Sequence, residues 1–180
     1  MIPAVTFEDI IKIIGNEILL QTGIPRDMFK NVTGVRGSSL AKRLSETETN
    51  SINLNDTFIV FELNEDDDTS YNTTINEDDD TVNLITAYNF YLKIYGNNCH
   101  TTAQQIITRL KSRQVVYKLH GLGIWLTEIT FPTNTNEFIN NTLWPRCDLT
   151  LKLRVRHNIS LVNPEGEFSD ENCQIIIDEI

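Results

Sequence analysis

A chain of 180 residues with 40% apolar and 22% charged side chains has the composition of a globular domain and the length for one ordinary core with room for extended arms. Its net charge of −10 is uneven: residues 56–80 hold ten acids and no base, residues 165–180 hold six acids and no base, and the remaining 25 − 16 = 9 acids face all 15 Lys and Arg. A mildly basic body with two acidic appendages argues against a dedicated nucleic-acid binder, and suits either solvated acidic loops or charge-complementary contact between unlike surfaces of neighbouring subunits.

Cys99, Cys147 and Cys173 are odd in number and widely spaced, so neither a disulfide framework nor a zinc site is signalled, and free thiols in an intracellular setting are expected. Residues 1–4 lack the basic start of a signal peptide, and no run approaches the length of a membrane span, so no membrane partner is expected. The sequons at Asn31, Asn72 and Asn158 carry little weight in a chain this rich in Asn and Thr.

In chain order, Thr6 with Asp9 forms a capping box with Asp in place of Glu, and Phe7, Ile10, Ile11, Ile14 and Ile18 recur at helical spacing. The helix is expected to end near Gln21, with Gly23 and Pro25 beyond. Residues 24–55 show no long period and gather Arg26, Lys30, Arg36, Lys42 and Arg43; a surface loop or arm with at most one helical turn is expected. Asp56–Leu63 reads as a strand buried on both faces, followed by a wide acidic hairpin loop from Asn64 to Asp80. The strand Thr81–Tyr95 has the clearest alternation, with Val82, Leu84, Tyr88, Phe90, Leu92 and Ile94 on its core face. Ile85, Ala87, Tyr91 and Tyr95 make the other face partly apolar, so something should cover part of it.

A turn at Gly96-Asn97-Asn98 leads to a helix, Thr101–Ser112, capped by Thr101 or Thr102. Ala103, Ile106, Ile107 and Leu110 form its stripe, and Arg109, Lys111 and Arg113 are expected to point outward where cations suit the helix dipole. Val115–Leu119 fits either more helix or an extended segment. A strand from Gly123 to Phe131 follows, then a connecting loop over 133–146 anchored by Phe138, Ile139, Leu143 and Trp144. Trp144-Pro145-Arg146 reads as a corner before a final strand, Cys147–His157. That strand sets Leu149, Leu151, Leu153 and Val155 against Thr150, Lys152, Arg154 and Arg156, a basic outer face that is either solvated or a docking surface for acidic partners. The tail from Pro164 is acidic and then apolar at Ile175–Ile177, an arm suited to another subunit. The fold class is therefore α+β: one domain over residues 1–163, an antiparallel or mixed sheet packed by two helices, with an extended acidic hairpin and terminal arms, residues 164–180 forming the acidic C-terminal arm.

Little of this reads as chemistry. Asp66, Asp68, Ser70, Thr74 and Glu77 match ligand spacings of a twelve-residue calcium loop, but Tyr71 stands where glycine is needed and the flanks read as strands. Asp66, Asp68 and Glu77 are thus weak cation candidates, and a monomeric acidic cation-binding interaction module is the alternative to a structural subunit. His100, His120 and His157 have no metal-like spacing, Cys99-His100 is a poor nucleophile–base arrangement, and no phosphate loop, GxSxG or HExxH is present, so neither an enzyme nor a cofactor is expected.

The run Ala87-Tyr88-Asn89-Phe90-Tyr91-Leu92-Lys93-Ile94-Tyr95-Gly96, the later His120-Gly121-Leu122-Gly123-Ile124, and Leu143-Trp144-Pro145-Arg146-Cys147-Asp148-Leu149-Thr150-Leu151 together resemble the phage neck terminator family, relatives of tail terminator and tail-completion proteins of tailed bacteriophages. The resemblance covers residues 87–157 and is most specific at Tyr95-Gly96 and at Trp144–Leu149. The acidic hairpin, the basic segment 24–55 and the acidic tail depart from the family's pattern. The resemblance implies a structural subunit of the virion neck or tail, assembled in the bacterial host cytoplasm. It implies a ring of six copies, or of twelve if it sits in a connector, contacting connector, portal or tail proteins. DNA would pass through the lumen without specific binding, since strong phosphate contacts would hold it in place. Closed rings use heterologous interfaces; the candidate pair is the acidic loop or tail against the basic last-strand face, and the expected interface residues are Lys152, Arg154 and Arg156, the helix bases Arg109, Lys111 and Arg113, and Asp66, Asp67, Asp68, Asp78, Asp79 and Asp80. Arg146, in the structural corner with Trp144 and Pro145, is either part of that surface or a hydrogen-bonder to loop carbonyls.

Overall fold

The longest strand is the spine on which the other elements are hung. The computed structural model describes residues 5–32, 55–66, 72–76, 81–139 and 142–160, with the backbone alone described for 72–76, 81–83 and 158–160. In chain order the elements are α1 (Phe7–Thr22), a 3-10 turn (Arg26–Met28), β1 (Phe29–Asn31), β2 (Phe58–Glu65), β3 (Asn72–Asn76), β4 (Thr81–Tyr95), α2 (Cys99–Leu110), α3 (Arg113–Gly121), β5 (Ile124–Ile129), β6 (Thr133–Ile139) and β7 (Thr142–Ser160). One sheet has the order β1-β2-β4-β7-β5, with β3 also paired to β4 and β6 also paired to β7. Among the described strands only β1 and β2 run parallel, so the sheet is mixed, and the fold is α+β in one domain.

β7 lies antiparallel to β4 without a break, from Thr81↔Ser160 to Tyr95↔Arg146. Alternate residues face opposite sides. Cys147, Leu149, Leu151, Leu153 and Val155 of β7, with Phe90, Leu92 and Ile94 of β4, face the helices and are buried. They meet Ile10, Ile14 and Ile18 of α1, Ala103, Ile106 and Leu110 of α2, and Val115 and Leu119 of α3. Each large aliphatic side chain so buried contributes roughly 1.5–3 kcal/mol. The sheet's other face carries a smaller core at one end: Phe58, Val60, Tyr95, Ile139 and Trp144. The Phe58 ring stacks on Tyr95 at 4.7 Å and meets the Trp144 edge at 5.5 Å. This is what covers the second apolar face of β4, and it covers Tyr95 but leaves Tyr91 38% exposed.

α1 starts and stops as its sequence predicts. Thr6 Oγ1 accepts from the Asp9 N–H at 3.2 Å while Asp9 accepts from the Thr6 N–H at 3.1 Å. Gly23 closes the helix in the left-handed conformation, φ 66°, its N–H donating to Leu19 O.

Five expectations need correction. Val115–Leu119 takes the helical one of its two expected forms, so three α-helices among the described residues, rather than two, pack on the sheet. α2 begins at Cys99, not Thr101; Asn98 is its N-cap without a side-chain bond, and Thr102 is buried instead of capping. The stretch 24–55 contributes β1, which extends the sheet beside β2. Asn64–Asp80 is not all loop: β3 pairs with Thr81–Ile85 of β4, in line with β2 along the same edge. Residues 133–146 form a strand pair, β6 against β7, and Trp144-Pro145-Arg146 lies inside β7 rather than at a corner before it. Ile139 and Trp144 are anchors as expected, but Phe138 and Leu143 are exposed. Residues 33–54 and 161–180 and the tip at 77–80 lie outside the described residues.

Candidate assembly surfaces

The two stretches that carry the family resemblance, Tyr95-Gly96 and Trp144-Pro145-Arg146, are neighbours in space at the end of β4. Tyr95 is in register with Arg146, and the Gly96 N–H donates to Pro145 O at 3.1 Å. Gly96 has φ 109°, a conformation that side-chain-bearing residues rarely adopt, and a Cβ there would collide with the Asp56 carbonyl oxygen. Proline is tolerated within β7 because β4 has just ended. The Gly96 carbonyl, which would face a donor at Pro145, accepts from the Cys99 N–H at the start of α2 instead.

Arg146 is the centre of a charged cluster here. Its Nη1 lies 2.6 Å from Glu137, its Nη2 2.8 Å from Asp148, and its Nε donates to Thr135 Oγ1 at 3.0 Å. The Tyr95 hydroxyl donates to the same Glu137 oxygen at 2.7 Å. Burial works against the Arg146 charge, but Glu137 and Asp148 outweigh it and hold the guanidinium protonated beyond its ordinary range. Burial raises Glu137, and the bonds from Tyr95 and Arg146 overcome that and hold it below the usual carboxylate range. Tyr95 is pushed well above its ordinary value by burial and then by Glu137. The partners of Arg146 are side chains of β6 and β7, so the cluster pins the β6–β7 hairpin to the end of the sheet.

A second charged cluster was not foreseen. Glu17 on α1 is buried, its side chain 2% exposed, and it meets Arg109 at 3.0 Å and Lys118 at 2.5 Å. Arg109 therefore turns inward and does not point outward as expected. The one hint in the sequence is position: Glu17 sits three residues after Ile14 and seven after Ile10, on the apolar stripe of α1.

The remaining basic candidates are distributed as follows. Lys152 pairs with Glu128 at 2.9 Å, both half exposed, and Asp66 lies close enough to add to the holding of its proton after Glu128. Arg156 lies over the Trp125 ring, 5.3 Å from its centroid, and Arg113 over Tyr117 at the same distance. Arg154 and Lys111 are exposed and make no ion pair among the described residues. Of the acidic candidates, Asp66 follows β2, with its N–H on Ala87 O at 3.0 Å. Asp67, Asp68, Glu77, Asp78, Asp79 and Asp80 lie outside the described residues. Among the described residues no group of three His, Cys, Asp or Glu is placed to hold a metal.

The other titratable groups serve structure. His157 Nδ1 lies 2.8 Å from Val5 O, and its Nε2 3.1 Å from the Tyr88 hydroxyl. With the proton on Nδ1 donating to the carbonyl, Nε2 accepts from Tyr88, and the entry to α1 is tied to β7. Cys99 and Cys147 are buried; burial raises both thiols, Cys147 to about 11, so neither is a ready thiolate. No helix among the described residues is long and apolar enough to cross a membrane.

The sequence model of a family described as phage neck terminator protein matches residues 20–172. No curated protein matches the chain.

Proposed function

The chain belongs to the phage neck terminator protein family, and on that premise we propose that it is a ring-forming subunit that terminates the tail or joins head to tail around the DNA channel. Membership makes the role a structural one in the neck of the virion, in association with other neck and tail proteins. The match over residues 20–172 is the observation that carries the reading, since it spans β1 to β7 and both stretches of the sheet-end junction. The finer picture is a ring of six copies, or of twelve if it sits in a connector. Its neighbours are portal, connector or tail proteins, it is assembled in the host cytoplasm, and DNA passes through its lumen without specific contacts.

The subunit contacts draw on charge. Within the candidate set, Arg154, Lys111 and Arg113 are exposed and make no ion pair among the described residues, Arg156 and Lys152 lie on β7 to either side of Arg154, and Arg109 is committed to Glu17. The acids of 66–68 and 78–80 on a neighbour are the complement, in a heterologous contact that a closed ring requires. Native mass spectrometry across salt concentrations tests this. The expected result is a closed oligomer that weakens as salt rises and is lost in Arg154→Glu. A monomer at every concentration and salt would overturn it.

A further inference from the structure

We infer that the ring contact includes an apolar knob and groove: the tip of the β6–β7 hairpin of one copy, Phe138 and Leu143, seats in a groove of the next copy beside β5. The inference rests on the ring reading above and names the surfaces that close it.

The knob is a pair. Phe138 and Leu143 are directly opposite each other in the β6–β7 register, yet they are 72% and 47% exposed. Their strand neighbours Ile139 and Trp144 are buried in the smaller core on the other face, so the pair is held rigidly outward. Phe131, two residues after Ile129 and so on the groove side of the hairpin, is 91% exposed. With roughly 200 Å² for a whole large side chain, the exposed fractions of Phe138 and Leu143 amount to about 240 Å² of apolar surface. That is about 30% of the ~800 Å² that each partner of a specific interface buries, the apolar centre of a contact whose rim is polar.

The groove lies between the α2–α3 turn and β5. It measures about 540 Å³ and is lined by Leu110, Val116, Leu119, Leu126 and Ile129, with Lys111 at its rim. β5 is the last strand in the sheet order, and no strand among the described residues pairs with its outer edge. Lys111 makes no ion pair among the described residues.

A copy cannot fill its own groove. Ile129 is in register with Leu151 and Phe138 with Leu143, positions eight residues apart on β7. At about 3.3 Å per residue the knob stands about 26 Å from the groove along the same strand. Knob and groove are thus two different patches of one subunit, which is what a head-to-tail contact needs.

The test uses the full chain and light scattering with native mass spectrometry. Phe138→Asp and Val116→Glu each should weaken self-association about 30-fold or more, with circular dichroism and melting unchanged for Phe138→Asp. A 1:1 mixture of the two variants should stop at a dimer, since each retains one intact patch. If the wild-type chain assembles and Phe138→Asp assembles equally well, the knob and groove are wrong and the ring reading stands. If the wild-type chain stays monomeric throughout, the ring reading falls and takes this inference with it. Should Val116→Glu fail to fold, Phe138→Cys with Thr127→Cys in a Cys173→Ser background replaces it. Oxidation should give a ladder of cross-linked chains on a non-reducing gel, and a gel without one overturns the inference.

Discussion

The two charged clusters are built in opposite ways. In the helix layer one carboxylate, Glu17, is buried and its two cations, Arg109 and Lys118, reach it from other helices with 26% and 54% of their side chains exposed. At the sheet end one cation, Arg146, sits 19% exposed between Glu137 and Asp148, at 21% and 34%. The first ties α1 to α2 and α3 through long side chains that retain water. The second ties a hairpin to the sheet with short, planar geometry, because guanidinium matches two carboxylates and a hydroxyl at once. The helix layer is therefore fastened by a buried anion that its cations shield. The sheet end is fastened by shape as much as by charge.

The change expected to hurt most acts on shape. Gly96→Ala places a Cβ against the Asp56 carbonyl at a left-handed position, and should destabilise by about 3–5 kcal/mol, read as a lower urea midpoint. A shift below about 1 kcal/mol would show that the sheet end yields more easily than its packing implies. Next comes Glu17→Ala, expected to cost about 2–4 kcal/mol by leaving two cations beside a vacated core position. Replacing Glu17, Arg109 and Lys118 together by Met should recover most of that; if it recovers none, the helix layer depends on more than pairing. Arg146→Met follows at about 1–3 kcal/mol, since Glu137 and Asp148 keep some access to water. Arg146→Lys should rescue less than half, because an ammonium cannot reach three partners in one plane. The smallest effect is on pH dependence. Glu17 and Glu137 are each raised by burial, but hydrogen bonds and nearby cations hold both below the ordinary range. Their contribution is therefore present above the unfolded glutamate pKa, about 4.3, and is lost as pH falls through the lower folded values. Melting temperature should fall with acidification in that window, and Glu17→Gln should flatten the fall.

Much of the scaffold was legible because its signals are local. The alternation of Thr81–Tyr95 gives β4 to the residue, and the Thr6/Asp9 box with Gly23 bounds α1. What was missed depends on partners distant in sequence. Thr133-Asn134-Thr135-Asn136 looks like a loop because almost nothing on it is apolar; it is a strand because the β7 edge beside it offers hydrogen bonds. The Trp-Pro-Arg stretch reads as punctuation, since proline argues against a strand, until the end of β4 removes the need for its donor. Arg109 reads as outward-facing because nothing in its own helix points to Glu17, 92 residues earlier. For the candidate surfaces, the basic strand face is visible as alternating charge, whereas the Phe138–Leu143 pair reads as anchors because apolar type alone does not say which face a residue takes.

The length of β7 has a consequence for how the molecule comes into being. β4, β5 and β6 all pair with it, and it is translated after every one of them. While the ribosome is still short of that strand, β4 lacks its main partner and presents an open edge to any other extended chain. Sheet closure is then a single late event built on pairings as distant as Thr81 with Ser160, the kind of topology that folds slowly. A structural subunit of a virion neck would thus be most exposed to misassembly not as a finished protein but as a nascent one, and a chaperone that masks strand edges would be its most useful companion during synthesis.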